Sequence, residues 1–368
     1  MRAGFGTGVI TPDLPVVLAG FGDRKGLVHE VRHELEAHAL VLEEGNVTVC
    51  LLVLDLLLLG PDFAAPIRAA VGSALGIPPE RVLTSCTHTH AGPAATAFAK
   101  RAGWPVPEGY LDIVLAGSVT AATSAVLETC TASFARAPLP EGLSLNRRGL
   151  PYDPAYSVLE LTRPNGTRVG AVANVGIHPV ALGVTARAVS GDWVSSFRPA
   201  ASARAGAPVI LLPGALGDVN PTRDPHTEPE PAGNWETAHA LGLEVADCTD
   251  ALLGKGSEAG PGLTAVVRQL RPRAGLTLAA LLAGVAGRRV DVELHEWALG
   301  DVMLASIPGE GFHALGRAVE RRHGDRALLA GLSPVWQGYL PEPFSHGYEE
   351  KMSYGRRFVR RVTGELTR

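Results

Sequence analysis

The chain has 368 residues, which is long enough for one large hydrophobic core or two smaller ones. Hydrophobic residues make up 46% of it and charged residues 19%, a composition typical of soluble globular proteins and not of disordered or fibrous ones. The formal net charge of -4 argues against nucleic acid as the main partner, because nucleic-acid-binding proteins usually carry a basic excess.

The cysteines and the N-terminal residues indicate the cellular compartment in which the protein is expected. The four cysteines are Cys50, Cys86, Cys130 and Cys248, and none has the CxxC spacing of a thiolate metal site or a redox pair. No charged segment followed by a long apolar one opens the chain, so no signal peptide is predicted. The longest apolar run, residues 47–59, contains Asp55 and is shorter than the roughly 18 residues of a membrane span. We therefore expect a cytoplasmic protein without an obvious membrane anchor, and the sequence leaves its oligomeric state open.

Apolar periodicity and turn residues predict most of the elements. In the first half of the chain they are a hairpin over residues 37–59, a helix over 66–75, a strand over 81–86, a helix over 110–132 and a hairpin over 156–177. In the second half they are a helix over 193–206, a strand over 208–213, a helix over 235–253, a hairpin over 294–306, a helix over 312–323 and a strand over 326–332.

The segments between these elements bear on domain organisation. Residues 221–234 form a polar loop rich in proline, and residues 254–275 are the segment most like a linker. No sequence period of 20 to 50 residues repeats, which excludes a solenoid. Strands and helices alternate throughout, which predicts an α/β fold: a single domain over residues 1–368 with mixed β-sheets flanked by helices.

Four strand-like runs lead into residues that can bind a metal ion. His88 follows residues 81–86, His178 follows 169–177, Glu310 follows 301–309 and Tyr339 follows 327–338. Ligands commonly bind at the carboxyl ends of strands in open α/β sheets, so these residues would converge if their strands run side by side in one direction. Imidazole and carboxylate are normal zinc ligands, and bound zinc lowers the pKa of a water molecule to about 7. A tyrosine ligand is unusual, since the ion must stabilise a phenolate.

Each of these residues also has a simpler interpretation. A single histidine such as His178 is more often a hydrogen-bonded core residue than a ligand, and Glu310 could serve only the dipole of a following helix. His88 and His90 are stronger candidates, because side chains two apart in an extended segment point the same way. From these residues alone, a metal site at the carboxyl ends of the strands is a hypothesis.

Several short motifs follow one another along the chain. They are GTGVITP at 6–12, AHALVLEEG at 37–45, THTHAGP at 87–93, GIHP at 176–179, SGDW at 190–193, GALGDVNP at 214–221, PGE at 308–310, GY at 338–339 and GYE at 347–349. In kind and in order they resemble the catalytic, N-terminal domain of the neutral/alkaline non-lysosomal ceramidase family. The THTHxGP motif is the most specific. The HP and PGE motifs are too short to be informative alone, and they support the resemblance because they occur in the family's order. The resemblance spans nearly the whole chain.

The resemblance implies a site and a reaction. It implies a zinc ion (Zn2+) held by His88, His178, Glu310 and Tyr339, and hydrolysis of an amide (N-acyl) bond in a small-molecule substrate. It also places His90 beside the metal, where it would act as an acid or base or stabilise the oxyanion. Asp192, in the SGDW motif, would support the site by holding a histidine.

The chain departs from the family pattern in two ways. Where the family has a serine assigned to catalysis in a GDVSPN block, this chain has Asn220, so a serine ester is excluded at this position. Metal-activated water then attacks, and Asn220 could donate a hydrogen bond to the oxyanion. The chain also ends soon after the GYE motif, so we expect no C-terminal immunoglobulin-like domain.

The substrate is less certain than the metal. No apolar surface run or amphipathic basic helix is evident, and the basic residues of 356–361 are interpreted as a solvated helix face, which argues against ceramide as the substrate. A zinc-dependent amide hydrolase is the leading hypothesis. An esterase or lactonase would use the same metal site, and a non-catalytic metal-binding protein on a ceramidase-like scaffold is the third alternative.

Overall fold

The computed structural model describes residues 1–223, 233–341 and 347–368. Its strands are β1 (Arg2–Val9), β2 (Glu36–Glu44), β3 (Val47–Leu54), β4 (Val82–Cys86), β5 (Glu128–Thr129), β6 (Thr131–Pro138), β7 (Ser144–Asn146), β8 (Ala155–Thr162), β9 (Arg168–Val175), β10 (Val209–Pro213), β11 (Val219–Pro221), β12 (Ser257–Glu258), β13 (Leu263–Leu270), β14 (Val292–Leu299), β15 (Val302–Ser306), β16 (Glu310–Gly311), β17 (Ala327–Ala330) and β18 (Tyr339–Leu340). Its helices are α1 (Pro61–Leu75), α2 (Tyr110–Thr123), α3 (Val194–Ala205), α4 (Trp235–Leu252), α5 (Leu278–Leu282), α6 (His313–His323), α7 (Tyr348–Lys351) and α8 (Arg356–Leu366), with 3-10 turns at Pro79–Arg81 and Ala97–Ala102. None of the helices in these residues is long and apolar enough to cross a membrane.

Three large sheets form the frame of the molecule. Their strand orders are β4-β3-β2-β1-β5, β10-β9-β8-β6-β12 and β13-β14-β15-β17. Each sheet is antiparallel except for one parallel pair at its end, namely β3–β4, β9–β10 and β15–β17. These pairs place the carboxyl ends of neighbouring strands at a common edge, where the sequence leads into the candidate ligands.

Buried polar side chains join the edges of the three sheets. The Asn174 amide on β9 donates to the Leu329 carbonyl of β17 at 2.9 Å, and its oxygen accepts from the Leu329 N–H at 2.9 Å. On β4, the Ser85 hydroxyl donates to the Gly331 carbonyl at 2.8 Å and the Thr84 hydroxyl to the Pro334 carbonyl at 2.6 Å. Because a buried polar group without a partner is costly, these bonds fix how the sheet ends meet.

Most predicted elements are present, and the α/β class with mixed sheets is confirmed. The expected helix over residues 110–132 is wrong beyond Thr123, because residues 131–138 instead pair with β8 over eight positions. The linker expected at 254–275 is also wrong, since it contains β13, which pairs in full register with β14. Helix α1 begins five residues earlier than expected, with Pro61 in its first turn, where a missing N–H costs little. Residues 224–232 of the predicted polar loop lie outside the described residues.

The four strand ends that were predicted to converge do not belong to a single sheet. His88 follows β4 of the first sheet and His178 follows β9 of the second. Glu310 and Tyr339 follow β15 and β17 of the third, in the short strands β16 and β18, which pair in parallel with Glu310 opposite Tyr339. The site therefore lies where three sheets meet, and no single sheet carries it.

Candidate metal centre

His88 and His178 are oriented alike by the backbone. The Nδ1 atom of His88 lies 2.5 Å from the Leu57 carbonyl oxygen, and Nδ1 of His178 lies 3.0 Å from the Val219 carbonyl oxygen. A carbonyl oxygen only accepts, so each Nδ1 carries a proton, and each ring in its neutral form leaves a lone pair on Nε2. This is the arrangement in which protein carbonyls prepare histidines to bind a metal through Nε2.

Both Nε2 atoms face one oxygen of Glu310. The distances to Glu310 Oε2 are 3.3 Å from His88 and 3.4 Å from His178, and all three side chains are buried. The other oxygen, Oε1, accepts a hydrogen bond from the Trp336 indole N–H at 2.8 Å. Among the described residues, Oε2 has no hydrogen-bond partner of its own. Three electron-pair donors thus converge on one small buried volume.

The charge balance of these donors requires positive charge among them, supplied either by protons on the histidines or by a bound cation. Burial by itself raises the pKa of Glu310, whereas positive charge at His88 and His178 lowers that pKa well below its usual range, so the carboxylate is ionised when such charge lies beside it. Burial lowers the pKa of His178, which favours its neutral form. Neutral Nε2 lone pairs facing a carboxylate oxygen repel one another unless a positive charge lies among them.

Backbone conformation adapts to bring the donors together. Among the described residues, the non-glycine residues with positive φ are His88, Asp192 and Leu332, at 72°, 60° and 50°. Residues in this region of φ are uncommon and cluster where function constrains the chain. Gly309 has φ 149°, and a Cβ atom there would lie 2.2 Å from the Gly338 carbonyl oxygen. Because glycine has no Cβ atom, β16 approaches β18 closely enough for Glu310 to pair with Tyr339.

Tyr339 is the fourth candidate ligand. It is buried beside Glu310, and its ring lies 6.0 Å from the guanidinium carbon of Arg147. Burial and the Glu310 carboxylate raise the pKa of Tyr339 well above its ordinary value, while Arg147 lowers it. The phenol is accordingly neutral next to this carboxylate, and its ionisation requires a further positive charge.

His90 lies beside these residues in a different setting. Its ring centroid is 5.0 Å from that of His88 and 6.0 Å from that of His178. One nitrogen from each of the three rings lies within 4.8 Å of the others, so His90 is near enough to be a ligand. Neither ring nitrogen of His90 has a hydrogen-bond partner among the described residues, whereas Nδ1 of His88 and Nδ1 of His178 each bind a backbone carbonyl. Without an orienting bond, His90 is better suited to exchanging protons than to holding an ion.

The fold that carries these residues can be compared with the folds of known proteins. No protein-family model matches the sequence, and no curated protein matches it. Two solved structures align with the entire chain. One is neutral ceramidase from Pseudomonas aeruginosa, with 18% identity, a TM-score of 0.86 and 73% of that chain covered. The chain has the neutral ceramidase fold. The second, a ceramidase complexed with C2, has 16% identity, a TM-score of 0.84 and 74% coverage.

The resemblance found in the sequence motifs is thus confirmed at the level of the fold. Within this ceramidase-like fold, the four predicted ligands and His90 lie together, as the motif order implies. Their roles remain predictions, because a likeness at this identity establishes the architecture and not the chemistry. The donor set itself, two neutral imidazoles, a carboxylate and a phenol, fits zinc by its chemistry. The Glu310 oxygen without a partner is the structural observation that supports this fit.

Asp192 and Asn220 lie near the ligands but differ in setting. The Asp192 carboxylate accepts from the backbone N–H groups of Ala181, Leu182 and Trp193 at 2.7 to 3.1 Å. It therefore holds the loop after His178, and burial raises its pKa to about 6. Asn220 is buried on β11, directly after Val219, whose carbonyl orients His178. Asp192 was predicted to hold a histidine directly, whereas its carboxylate bonds to the backbone N–H groups that follow His178 and precede α3.

Several residues at the site were missed by sequence reasoning. The guanidinium neighbour Arg147 is one of them, and it is itself bound to Glu349 and the Gly217 carbonyl. The hydrogen bond from Trp336 to Glu310 was likewise not predicted. Phe21 packs edge-on against His90 with ring centroids 4.8 Å apart. The only usable signals were the adjacent arginines 147 and 148 in a turn-rich segment and the closeness of Trp336 to the predicted tyrosine ligand.

A second group of metal-binding residue types has a different explanation. Glu36, His38 and Asp55 lie within reach of a single ion. The Arg198 guanidinium, however, donates to Glu36 at 2.9 Å and to Asp55 at 2.6 Å. A buried cation thus already balances these carboxylates. Asp55 in turn accepts from the Thr87 hydroxyl at 3.2 Å, so this network supports the segment that carries His88.

Proposed function

We propose that this protein is a zinc-dependent hydrolase that cleaves an amide bond in an N-acyl substrate. The observation that supports it best is the convergence of His88 Nε2, His178 Nε2 and Glu310 Oε2, with both Nδ1 atoms held by carbonyls. The ceramidase-like fold supports the reaction class, because the proteins of that fold reported above are themselves ceramidases.

The four ligands would be His88, His178, Glu310 and Tyr339. The chemistry supplied by zinc when bound there is Lewis acidity, which polarises a carbonyl group and makes water a better nucleophile at neutral pH. The chain's own contribution begins with exclusion of solvent, since all four side chains are buried. The Trp336 N–H and the Leu57 and Val219 carbonyls hold the ligands in their orientations.

His90 is the residue best placed to move protons. Burial, with His88 and His178 adding to it, lowers the pKa of His90 well below its ordinary value, so its imidazole is neutral at pH 7. A neutral ring with an available nitrogen accepts a proton from the attacking water and returns it to the leaving nitrogen atom. The Asn220 amide would donate a hydrogen bond to the oxyanion of the tetrahedral intermediate.

A panel of substrates distinguishes cleavage of an amide bond from cleavage of an ester bond. Polarised carbonyls of esters and amides are attacked in the same way, so a matched panel should contain N-acyl amides and esters with identical acyl groups. Higher kcat/KM for the amides than expected from their intrinsic reactivity supports the proposed function. Turnover of esters alone would assign an esterase or lactonase. A chain that binds zinc stoichiometrically but hydrolyses none of the panel would be a metal-binding protein on this scaffold.

Metal analysis of protein purified without added metal tests the ligands. We expect close to one zinc per chain, and its loss in the His88→Ala variant with an unchanged circular dichroism spectrum. A His29→Ala variant is the matched control, because the His29 side chain is exposed whereas His88 is buried. Substoichiometric zinc that the His88→Ala change leaves unaltered would refute the metal assignment.

Proton transfer is tested separately. The His90→Gln variant should keep its zinc and lose about a hundred- to ten-thousand-fold in kcat, the usual contribution of a general acid or base. The His29→Gln variant should retain full activity. Loss of zinc from the His90→Gln variant would instead make His90 a ligand.

A further inference from the structure

The segment of residues 271–290 exposes large apolar side chains on the protein surface. Leu276, Leu278 and Leu281 are 80%, 49% and 57% exposed, whereas the neighbouring Ala279 and Ala280 are fully buried. We call these three side chains the leucine face. The sequence had indicated no apolar surface run, and the structure corrects this: leucines that are spaced by two and three residues are all exposed once the segment has folded.

The leucine face is held in place by a defined scaffold. The segment closes on itself through Ala274 N–H to the Arg288 carbonyl at 2.8 Å and Val290 N–H to the Pro272 carbonyl at 2.9 Å. Gly275 N–H donates to the Tyr354 carbonyl at 2.7 Å, which ties the segment to the start of α8. Helix α5 buries its alanines against the core and so turns its leucines outward. Exposure of these side chains is therefore built into the fold.

Exposed cations lie on the same segment as the leucine face and next to it in the chain. Arg271, Arg273, Arg288 and Arg289 are all exposed, and the sequence of residues 271–290 contains no acidic residue. The nearby Arg101 is also exposed and donates to the Leu282 carbonyl at 2.7 Å. One carboxylate in the described residues is seen to balance this group, Asp291, at 2.7 Å from Arg271. The segment thus combines exposed apolar side chains with a net positive charge.

Aromatic packing connects the leucine face to the metal centre. Arg101 belongs to the 3-10 turn Ala97–Ala102, which carries Phe98. The Phe98 ring stacks on Trp336 with centroids 5.3 Å apart, and Trp336 donates to Glu310. The buried alanines of α5 lie in the same hydrophobic cluster as Trp336. The leucine face and the candidate metal centre therefore share one continuous packed region.

We propose that the leucine face docks on the surface of an anionic lipid bilayer. Exposed leucines on a segment that also carries exposed arginines match such a surface, because the leucines enter the boundary of the acyl chains while the guanidinium groups contact phosphate. This docking is independent of the proposed hydrolysis. Where both hold, a lipid amide would reach the metal centre from the membrane it occupies.

Charge argues against a second copy of the chain as the occupant. In a two-fold symmetric contact the same patch meets itself, so the arginines of one protomer would face those of the other. Like charges placed together in an interface are costly, whereas the phosphates of an anionic bilayer neutralise them. The positive charge of this segment thus favours a lipid surface over self-association.

Vesicle flotation of the full chain tests the proposal. The probes are vesicles of phosphatidylcholine alone and of phosphatidylcholine with phosphatidylglycerol. We expect binding to the mixed vesicles, weakened by high salt, and about a tenfold or greater loss in the Leu276→Ser/Leu281→Ser variant because two anchoring side chains become polar. An Arg273→Glu/Arg288→Glu variant should lose preference for the anionic vesicles.

Matched controls make the result specific. Val126→Ser removes another exposed apolar side chain, 73% exposed, and Arg321→Glu reverses another exposed arginine. Both should bind the mixed vesicles as the unmodified chain does. No flotation of the unmodified chain, or equal flotation of the leucine variants, would overturn the proposal. So would a dimer in size-exclusion chromatography that the Leu276→Ser/Leu281→Ser change dissociates. Zinc content, measured in parallel, reports separately on the metal centre.

Discussion

The hydrogen bond from Trp336 to Glu310 allows the strongest test of the metal centre. The indole N–H lies 2.8 Å from Glu310 Oε1, and both side chains are buried. A hydrogen bond to a charged group is worth about 1.5 to 3 kcal/mol, and its loss leaves the carboxylate less well oriented. Since 1.4 kcal/mol corresponds to a tenfold change, the Trp336→Phe variant should bind zinc about 10- to 100-fold more weakly.

The chain offers a matched control for this substitution. Trp297 is fully buried on β14, and its indole nitrogen has no hydrogen-bond partner among the described residues. Trp297→Phe therefore removes similar apolar surface without removing a hydrogen bond to the site. Comparing the two variants separates the lost bond from lost packing, which should lower the free energy of unfolding in both.

Zinc affinity is measured by competition with a chromophoric chelator, at a pH where the histidines are neutral. We expect the Trp297→Phe variant to retain the affinity of the unmodified chain and the Trp336→Phe variant to lose it. Equal zinc affinity in all three proteins would refute the argument that the hydrogen bond from Trp336 orients Glu310 for metal binding. Equal weakening in both variants would assign the effect to general packing.

Three further predictions follow from the same geometry. Because burial and Glu310 raise the pKa of Tyr339, zinc binding should displace its proton and produce a tyrosinate ultraviolet difference spectrum, absent in Tyr339→Phe and retained in Tyr348→Phe. Burial raises the pKa of Asp192 to about 6, so the folded chain holds this proton to higher pH than the unfolded one. Its contribution to stability is full below about pH 4 and is lost by about pH 6, so the unfolding free energy of the unmodified chain minus that of Asp192→Asn should fall by about 3 kcal/mol between pH 4 and pH 7 in urea titrations. A difference that does not change with pH would contradict this. Finally, Asn220→Ala should keep zinc affinity but lower kcat by about 100- to 1,000-fold, the usual effect of removing an oxyanion donor, and unchanged kcat would remove Asn220 from the mechanism.

The elements that depend on local pattern were predictable from the sequence. The hairpin of β2 and β3 follows from two apolar runs around a polar turn, and α4 follows from helical periodicity ending near Gly254. The predicted helix over 110–132 failed at its C-terminal half, because eight pairs with β8 outweigh local helical preference there. Strand β13 was missed for the same reason, since its pairing partner lies more than twenty residues further along the chain.

The candidate site was predictable as a set of residues and not as an arrangement. His88, His178, Glu310 and Tyr339 could be named because each follows a strand-like run and because the motif order resembles a known family. That the strands belong to three sheets, joined by buried side chains such as Asn174, could not be seen, since those contacts span more than 150 positions.

The sequence by itself determined the donor chemistry, the α/β class and the absence of a serine nucleophile at Asn220. Only the tertiary structure decided that two carbonyls orient the histidines, that Trp336 holds the carboxylate and that three leucines are exposed on a segment that also carries exposed arginines. The physical reason is that donor identity is a property of single side chains. Orientation, burial and exposure are instead properties of contacts between segments that are distant in sequence.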